Sequence, residues 1–255
     1  MRSQLVMWIL LSLFGDDWQL LQLPMDPEMV GFSLSQRPRI CVVLLLRECV
    51  YLHYDVYGLY AEVINVLSLV RSHVEECLCA AQPEVSRESW EIMQVRNHTR
   101  LGAPVRCMKD LLTQRELDVV EAYEMQPRSE QEAVVHVGDN TCRQSWSGQS
   151  MRIPTYRHSG GYQWLLHRMR FMTIREQLTS MGWPVYNRFA RAAGVATEDL
   201  LSDIPLQAYR ELLGNSIHVA NMGVVVLIVL LCWLRHADSY CCAANSPATF
   251  PYSHV

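Results

Sequence analysis

The sequence has nine cysteines but no Cys-x-x-Cys pair. Structural zinc sites usually take paired ligands a few residues apart, and disulfide-rich secreted domains are usually far shorter than 255 residues. His73, Cys77 and Cys79 lie close together in the sequence, but no second pair of ligands lies near them. We therefore expect no metal site, and reduced cysteines in an intracellular protein of the nucleus or cytoplasm.

Lysine is almost absent, since Lys109 stands alone beside 21 arginines. Arginine suits bidentate contacts with phosphate and guanine, although genome composition produces the same bias. A disordered protein is excluded, because half of the residues are hydrophobic. A chain of 255 residues is long enough to fold as one large domain or two small ones.

Acidic residues are missing from residues 141–175, although the whole chain has a formal net charge of −4. Arginines and aromatic residues are interleaved in this acid-free stretch. Such a composition is typical of a surface that contacts phosphates, and a solvated loop is the alternative interpretation. The residues predicted to contact DNA are Arg143, Arg152, Thr155, Arg157, Arg168 and Arg170.

Local patterns predict several secondary-structure elements. Residues 113–116 match a capping box at the start of a helix, and residues 133–137 read as a short strand. Residues 82–105 are polar, with Pro83 and Pro104 near the two ends of the segment, which favours a loop. A further short helix is expected after Pro205, with Gly214 at its end in the positive-φ conformation.

Hydrophobic runs occur near both ends of the chain. The run at residues 222–234 is 13 residues long, short of the ~20 that a bilayer needs. It predicts a core helix packed on a parallel sheet, with Leu227 inside, and a single-pass membrane anchor is the alternative. Residues 5–11 follow Arg2 as in a signal peptide, but no small-x-small cleavage site comes next. A buried helix or strand is therefore expected there.

A third apolar run, at residues 41–46, is short and partly β-branched. This pattern is typical of an inner strand of a parallel sheet. Arg37 and Arg39 lie in the loop that leads into it. Read from the residues alone, they are loop arginines at the start of a strand.

Two segments in the C-terminal part of the chain carry a family resemblance. The first contains Thr173 and Glu176 in a Thr-x-x-Glu pattern and ends in the Gly-Trp-Pro sequence at residues 182–184. The second is the Gly-Asn-Ser sequence at residues 214–216, followed by a hydrophobic helix. In order and spacing they resemble the last two motifs of the DNA (cytosine-5)-methyltransferases. Two earlier segments show a weaker resemblance to the same family. Residues 37–39 resemble its Arg-x-Arg loop, and residues 153–155 the hydrophobic-Pro-Thr sequence that closes its target-recognition segment.

The resemblance implies a fold and a set of site residues. The fold is α/β, a partial Rossmann-like methyltransferase sheet with an inserted small target-recognition segment. Arg39 and Arg37 would match the Arg-x-Arg loop that helps hold the flipped cytosine, although Ser33 stands where the family usually has proline. Asn215 and Ser216 would lie beside S-adenosylmethionine. DNA would be the partner.

The same resemblance implies a division of the chain. Residues 1–56 would hold strands of the partial catalytic sheet with the Arg-x-Arg loop, and residues 57–165 a segment like the target-recognition part. Residues 166–236 would return to the catalytic domain with the last two motifs and the core helix. Residues 237–255 are expected to be a disordered tail.

The residues that carry the chemistry of this family are missing. Cytosine methylation needs a Gly-rich loop for the cofactor, a Pro-Cys nucleophile and a nearby Glu-Asn-Val glutamate, and the sequence has none of the three. We therefore expect a partial DNA (cytosine-5)-methyltransferase that is inactive alone. A non-catalytic DNA-binding or regulatory module and a single-pass membrane protein are the alternatives.

Overall fold

The computed structural model describes residues 2–31, 34–35, 38–97, 107–127, 132–143, 146–156, 161–192, 194–195 and 205–235. Over these residues the fold is mixed α/β, as expected, with three small antiparallel sheets. The chain divides into two compact units. The first comprises Met1–Met25, Arg39–Val63 and Gly223–Val255, and the second Asp26–Pro38 and Ile64–Met222. The predicted tail at residues 237–255 lies outside the described residues.

Helices and strands alternate irregularly along the chain. The strands are β1 (Trp18–Met25), β2 (Arg39–Leu46), β3 (Val50–Leu52), β4 (Val134–His136), β5 (Gln163–Leu165), β6 (Arg170–Phe171) and β7 (Trp233–Arg235). The helices are α1 (Arg2–Phe14), α2 (Val56–Leu67), α3 (Val74–Cys77), α4 (Gln82–Asn97), α5 (Gln114–Glu124), α6 (Ser147–Ser150), α7 (Ile174–Ser180), α8 (Asn187–Ala192), α9 (Leu206–Asn215) and α10 (Val219–Cys232). Short 3-10 turns cover Pro27–Val30, Met108–Leu111 and Thr141–Arg143.

The first unit contains two antiparallel strand pairs, β1 with β2 and β3 with β7. The register of the longer pair runs from Trp18 opposite Leu46 to Met25 opposite Arg39. The prediction of an inner parallel strand at residues 41–46 is therefore wrong. Parallel pairing needs a crossover, usually an α-helix, and the described residues between β1 and β2 hold only a 3-10 turn.

Helix α1 confirms the secondary structure expected near the N-terminal end but not its burial. Leu5, Trp8 and Leu13 are 60%, 67% and 69% exposed. The helix is apolar on nearly every side, so its neighbour β1 can cover only part of it. Sequence hydrophobicity alone therefore overstated how much of this helix is buried.

Helix α10 has one buried face and one exposed face, both of them apolar. Ile228 and Cys232 are fully buried, whereas Leu230 is 70% exposed. Leu227, expected inside, is 43% exposed, so the core-helix prediction holds for one face only. Judged by length and composition, the helical run Gln207–Cys232 could cross a membrane.

Two aspartate substitutions in α10 separate a core helix from a membrane span. Ile228→Asp buries a carboxylate without a partner and is expected to lower the free energy of unfolding by about 3 kcal/mol or more. Leu230→Asp, on the exposed face, is expected to change it by less than about 0.5 kcal/mol. Urea unfolding of both variants measures this. In a separate membrane-insertion assay with microsomes, a cost of about 2.5–3.5 kcal/mol for Leu230→Asp would instead indicate a lipid-facing side chain.

The second unit is organised around the sheet β4-β5-β6, which has apolar cores on both faces. Trp164 packs in a cluster with Trp146 and Phe171, and its ring centroid lies 5.0 Å from that of Phe171. The neighbouring Leu165 belongs to a second cluster, with Met181. The strand expected at residues 133–137 is confirmed as β4.

Helix α4 (Gln82–Asn97) replaces the first part of the loop expected at residues 82–105, and residues 98–105 lie outside the described residues. Pro83 lies in its first turn, where the missing N–H costs no intrahelical hydrogen bond. Val85, Glu88 and Ile92 are buried at helical spacing. The charged Glu88 in the middle of this stripe interrupts the apolar pattern, which explains why the sequence reads as a loop.

Candidate functional site

The first of the two motif segments is folded around a buried carboxylate. Glu176 is fully buried and Arg170 is only 8% exposed. The Arg170 guanidinium donates two hydrogen bonds to Glu176, with N···O distances of 2.7 and 2.8 Å. Such a bidentate pair fixes the position of both side chains. Arg170, predicted to contact DNA, is thus held inside the second unit.

Thr173 completes this arrangement as a helix cap. Its hydroxyl accepts a hydrogen bond from the Glu176 backbone N–H at 3.3 Å, and its own N–H donates to the Glu176 carboxylate at 2.9 Å. These reciprocal bonds form a capping box at the start of α7. The Thr-x-x-Glu pattern therefore has a structural role in this chain.

The second motif segment packs on the turn that ends the first. Val219 N–H donates to the Met181 carbonyl at 3.0 Å. Gly182 has φ of +78°, and a Cβ added there would lie 3.2 Å from Cε1 of His218. A side chain at this position is therefore strained and close to His218 at once. The fold joins the two segments that carry the resemblance.

Asn215 and Ser216, the residues predicted to contact the cofactor, lie at the end of α9. The Ser216 hydroxyl donates to the Leu213 carbonyl at 2.9 Å, so it caps the helix. Asn215 is exposed. The expected positive φ at Gly214 is absent, because α9 continues through this residue; among the described glycines it occurs at Gly31, Gly182 and Gly194.

The predicted arginine pair before β2 is described in part. Arg39 is the first residue of β2 and is exposed. It belongs to the first unit, whereas Asn215 and Ser216 belong to the second. Arg37 lies outside the described residues.

The arginines of the acid-free stretch meet glutamates from elsewhere in the chain. Arg152 forms an ion pair with Glu28. Arg168 lies 3.8 Å from the Glu132 carboxylate and donates to a backbone carbonyl. The charge of a segment is therefore not the charge of the folded surface that it forms.

The other residues predicted to contact DNA differ in exposure. Arg143 is exposed at the end of a 3-10 turn. Thr155 is half-buried, and Arg157 lies outside the described residues. Next to Thr155, the Tyr156 hydroxyl lies 2.6 Å from the Ser180 hydroxyl, both buried. The acid-free stretch is thereby bonded to α7.

A buried carboxyl group in α4 was not singled out by the sequence. Glu88 is 8% exposed and accepts a hydrogen bond from the Ile174 backbone N–H at 3.0 Å. Burial raises the pKa of Glu88 to about 7, against the lowering effect of this bond. The sequence could have indicated this group in one way only: Glu88 lies at helical spacing between the apolar residues Val85 and Ile92.

His218 and Asn221 form a second group that sequence reasoning passed over. Each is 1% exposed, and their side-chain nitrogen and oxygen atoms have no hydrogen-bond partner among the described residues. Burial lowers the pKa of His218 to about 4. Their i, i+3 spacing at the start of an apolar helix was the available indication.

Neither the comparison with protein-family models nor the search of curated proteins finds a match for this chain. The resemblance to the (cytosine-5)-methyltransferases therefore depends on the residues quoted above. In the described part of the chain, no group of three or more His, Cys, Asp or Glu side chains could hold a metal ion.

Proposed function

We propose that the chain is the target-recognition and C-terminal part of a DNA (cytosine-5)-methyltransferase, without methyl transfer of its own. One observation supports this most. Three segments that carry the resemblance, far apart in sequence, pack on one another through Tyr156 with Ser180 and Val219 with Met181. On this proposal, the chain supplies part of a Rossmann-like methyltransferase fold with an inserted recognition segment, although the three sheets of the described residues are antiparallel.

The cofactor of this family would be S-adenosylmethionine, and the chain offers few groups to hold it. Asn215 is exposed at the end of α9, whereas the Ser216 hydroxyl already caps the helix. The sequence has no Gly-rich loop. The residues present therefore fit one edge of such a site at most, and Asn215 with Ser216 is our proposal for that edge.

DNA is the proposed partner, bound by exposed arginines of the acid-free stretch. Arg143 and Arg168 are exposed, although Arg168 also lies 3.8 Å from Glu132, and Arg152 is half-buried beside Glu28. Arg170 forms a buried ion pair with Glu176, so we expect it to contribute less than the exposed arginines to phosphate binding. The alternative, a regulatory module that binds DNA without catalysis, uses the same residues.

The salt dependence of DNA binding tests this assignment. If three arginines neutralise phosphates, the logarithm of the binding constant should fall against the logarithm of salt with a slope of about −3. The double variant Arg143→Gln and Arg168→Gln should make the slope shallower by about 2. Fluorescence anisotropy with a labelled duplex measures both.

Two exposed arginines outside the stretch serve as the control. Arg71→Gln with Arg115→Gln removes the same charge from the same unit and should leave the slope unchanged. If both double variants lose the same slope, net charge alone explains the binding and the proposed surface is wrong.

A further inference from the structure

Two guanidinium groups, those of Arg96 and Arg210, lie against the ring of Tyr162. Cζ of Arg210, from α9, lies 3.5 Å from the ring centroid, and Cζ of Arg96, from α4, lies 4.5 Å from it. Both distances are within the range of cation–π attraction. The two positive charges are close enough that Arg96 contributes to lowering the pKa of Arg210, although burial has the larger effect.

The two arginines differ in their counter-charges. Arg96 donates two hydrogen bonds to Glu116, at 2.7 and 2.9 Å. Arg210 has no carboxylate within ion-pair distance among the described residues. Glu88 acts on it only at longer range, and burial raises the pKa of that carboxyl to about 7. Near neutral pH, Arg210 is thus incompletely compensated.

This sets Arg210 apart from the other arginines that are withdrawn from solvent. Each of the other described arginines that is buried or half-buried has a glutamate within ion-pair distance. These pairs are Arg96 with Glu116, Arg152 with Glu28, Arg170 with Glu176 and Arg175 with Glu84. The Tyr162 side chain forms a hydrogen bond with Arg210 but supplies no carboxylate. A partly desolvated cation without a counter-ion is costly, so the exception calls for an anion.

Arg210 also borders a small polar cavity. The cavity has a volume of about 20 Å³ and is lined by His136, Gln163 and Gln177 besides Arg210. That volume holds one water-sized oxygen. The buried side-chain oxygen of Gln163 has no hydrogen-bond partner among the described residues, while its amide nitrogen donates to the Pro154 carbonyl at 3.1 Å.

A single oxygen in this cavity cannot use all five N–H donors of a guanidinium. A water there would donate to Gln163 and accept from Arg210, which leaves further donors of Arg210 for a second partner. The Tyr162 side chain holds the guanidinium by a cation–π contact and a hydrogen bond. A planar group with several donors, held against a ring, is suited to bidentate binding of phosphate.

We propose that Arg210, which lies over the Tyr162 ring and beside the water-sized cavity, is a phosphate-binding site of this protein. The bound group is a phosphate, either a phosphodiester of a nucleic-acid strand or free inorganic phosphate. The nucleic-acid source rests on the proposed function, whereas the phosphate chemistry does not. Arg96 lies over the same ring, but its charge is already paired with Glu116.

Thermal unfolding in the presence of inorganic phosphate tests the site. Phosphate should raise the unfolding temperature of the wild-type chain in a saturable way, compared with sodium chloride of equal ionic strength. Arg210→Gln should weaken phosphate binding about tenfold or more, as expected for the loss of a bidentate charged contact. Arg191→Gln, an exposed arginine in α8, should bind as the wild type does.

A second variant covers the case in which Arg210→Gln does not fold. Arg210→Lys keeps the charge without the planar donor fork and should bind phosphate with intermediate affinity. Isothermal titration of the wild-type chain with phosphate gives the affinity without any variant. Absence of saturable binding in the wild type, or equal binding in both Arg210 variants and the wild type, would overturn the proposal.

Titration with a single-stranded oligonucleotide distinguishes the two sources of phosphate. Binding that weakens in Arg210→Gln places a strand phosphate at Arg210. If inorganic phosphate binds through Arg210 but no oligonucleotide or duplex binds, the ligand is free phosphate and the proposed DNA function fails. If DNA binds equally well to both forms and phosphate does not bind, the site is wrong and the DNA function stands.

Discussion

Arg170→Ala is expected to destabilise the second unit by about 3–5 kcal/mol. The substitution leaves the fully buried Glu176 without the two hydrogen bonds that Arg170 donates. Backbone N–H groups of Thr173 and Ala80 still donate to this carboxylate, but they bring no positive charge. Urea unfolding followed by tryptophan fluorescence measures the loss as a lower midpoint.

A matched control for this experiment lies in the same acid-free stretch. Arg143→Ala removes an exposed arginine and should change the free energy of unfolding by no more than about 0.5 kcal/mol. Replacing both partners, with Arg170→Met and Glu176→Leu, should recover part of the loss, because no buried charge then remains unpaired. Equal midpoints for Arg170→Ala and Arg143→Ala would show that the ion pair does not hold the unit together.

Glu88→Gln is expected to stabilise the protein above neutral pH by up to about 3 kcal/mol. The pKa of Glu88 rises from 4.5 to about 7 on folding, mainly because the group is buried. A raised pKa means that the stability is fully present below pH 4.5 and is lost as the pH rises through about 7. The amide introduced by the substitution stays uncharged, so the variant should not show this loss.

The measurement is the free energy of unfolding at several pH values between about 5 and 8, where the wild type and the variant should diverge as the pH rises. Glu121→Gln, an exposed glutamate in α5, is the control and should follow the wild type. Curves for Glu88→Gln and the wild type that stay parallel across this range would contradict a raised pKa at Glu88.

Local patterns were predictable from the sequence where the interaction itself is local. The capping box of Thr113 and Glu116 joins residues three apart, and the structure confirms it at the start of α5. The short strand β4 and the helix after Pro205 follow from similarly short patterns. These elements depend on the chain within a few residues of themselves.

The neutralisation of the acid-free stretch could not be predicted in this way. Arg152 and Arg168 meet Glu28 and Glu132, neither of which belongs to the stretch. Arg170 meets Glu176, which lies just beyond the stretch. Composition describes a segment, whereas surface charge depends on which other segments fold against it. The same reason explains why Arg210, which has no carboxylate partner among the described residues, was not predicted. Its neighbours along the chain are those of an ordinary helix arginine.

Strand direction was also outside the reach of local patterns. Residues 41–46 read as an inner parallel strand because their side chains are apolar on both faces. In the structure β2 pairs with β1 in antiparallel fashion, and its residues Cys41–Leu46 are half-buried on both faces. An apolar run indicates which faces of a strand avoid water, but the direction of pairing depends on the connection between strands.

Reconstitution of methyl transfer tests the central proposal most directly. The chain is mixed with the separately produced N-terminal half of a (cytosine-5)-methyltransferase, which carries the Gly-rich loop and the Pro-Cys nucleophile. Duplex DNA and labelled S-adenosylmethionine are then added, and labelled 5-methylcytosine is counted. That N-terminal half combined with its own C-terminal half is the positive control.

We expect labelled 5-methylcytosine from the mixture and none from the chain alone, because the sequence has no Pro-Cys nucleophile and no Gly-rich loop. Label from the chain alone would contradict the view that its catalytic residues are missing. No label from the mixture, while the positive control is active, would contradict its assignment as the C-terminal part of such an enzyme.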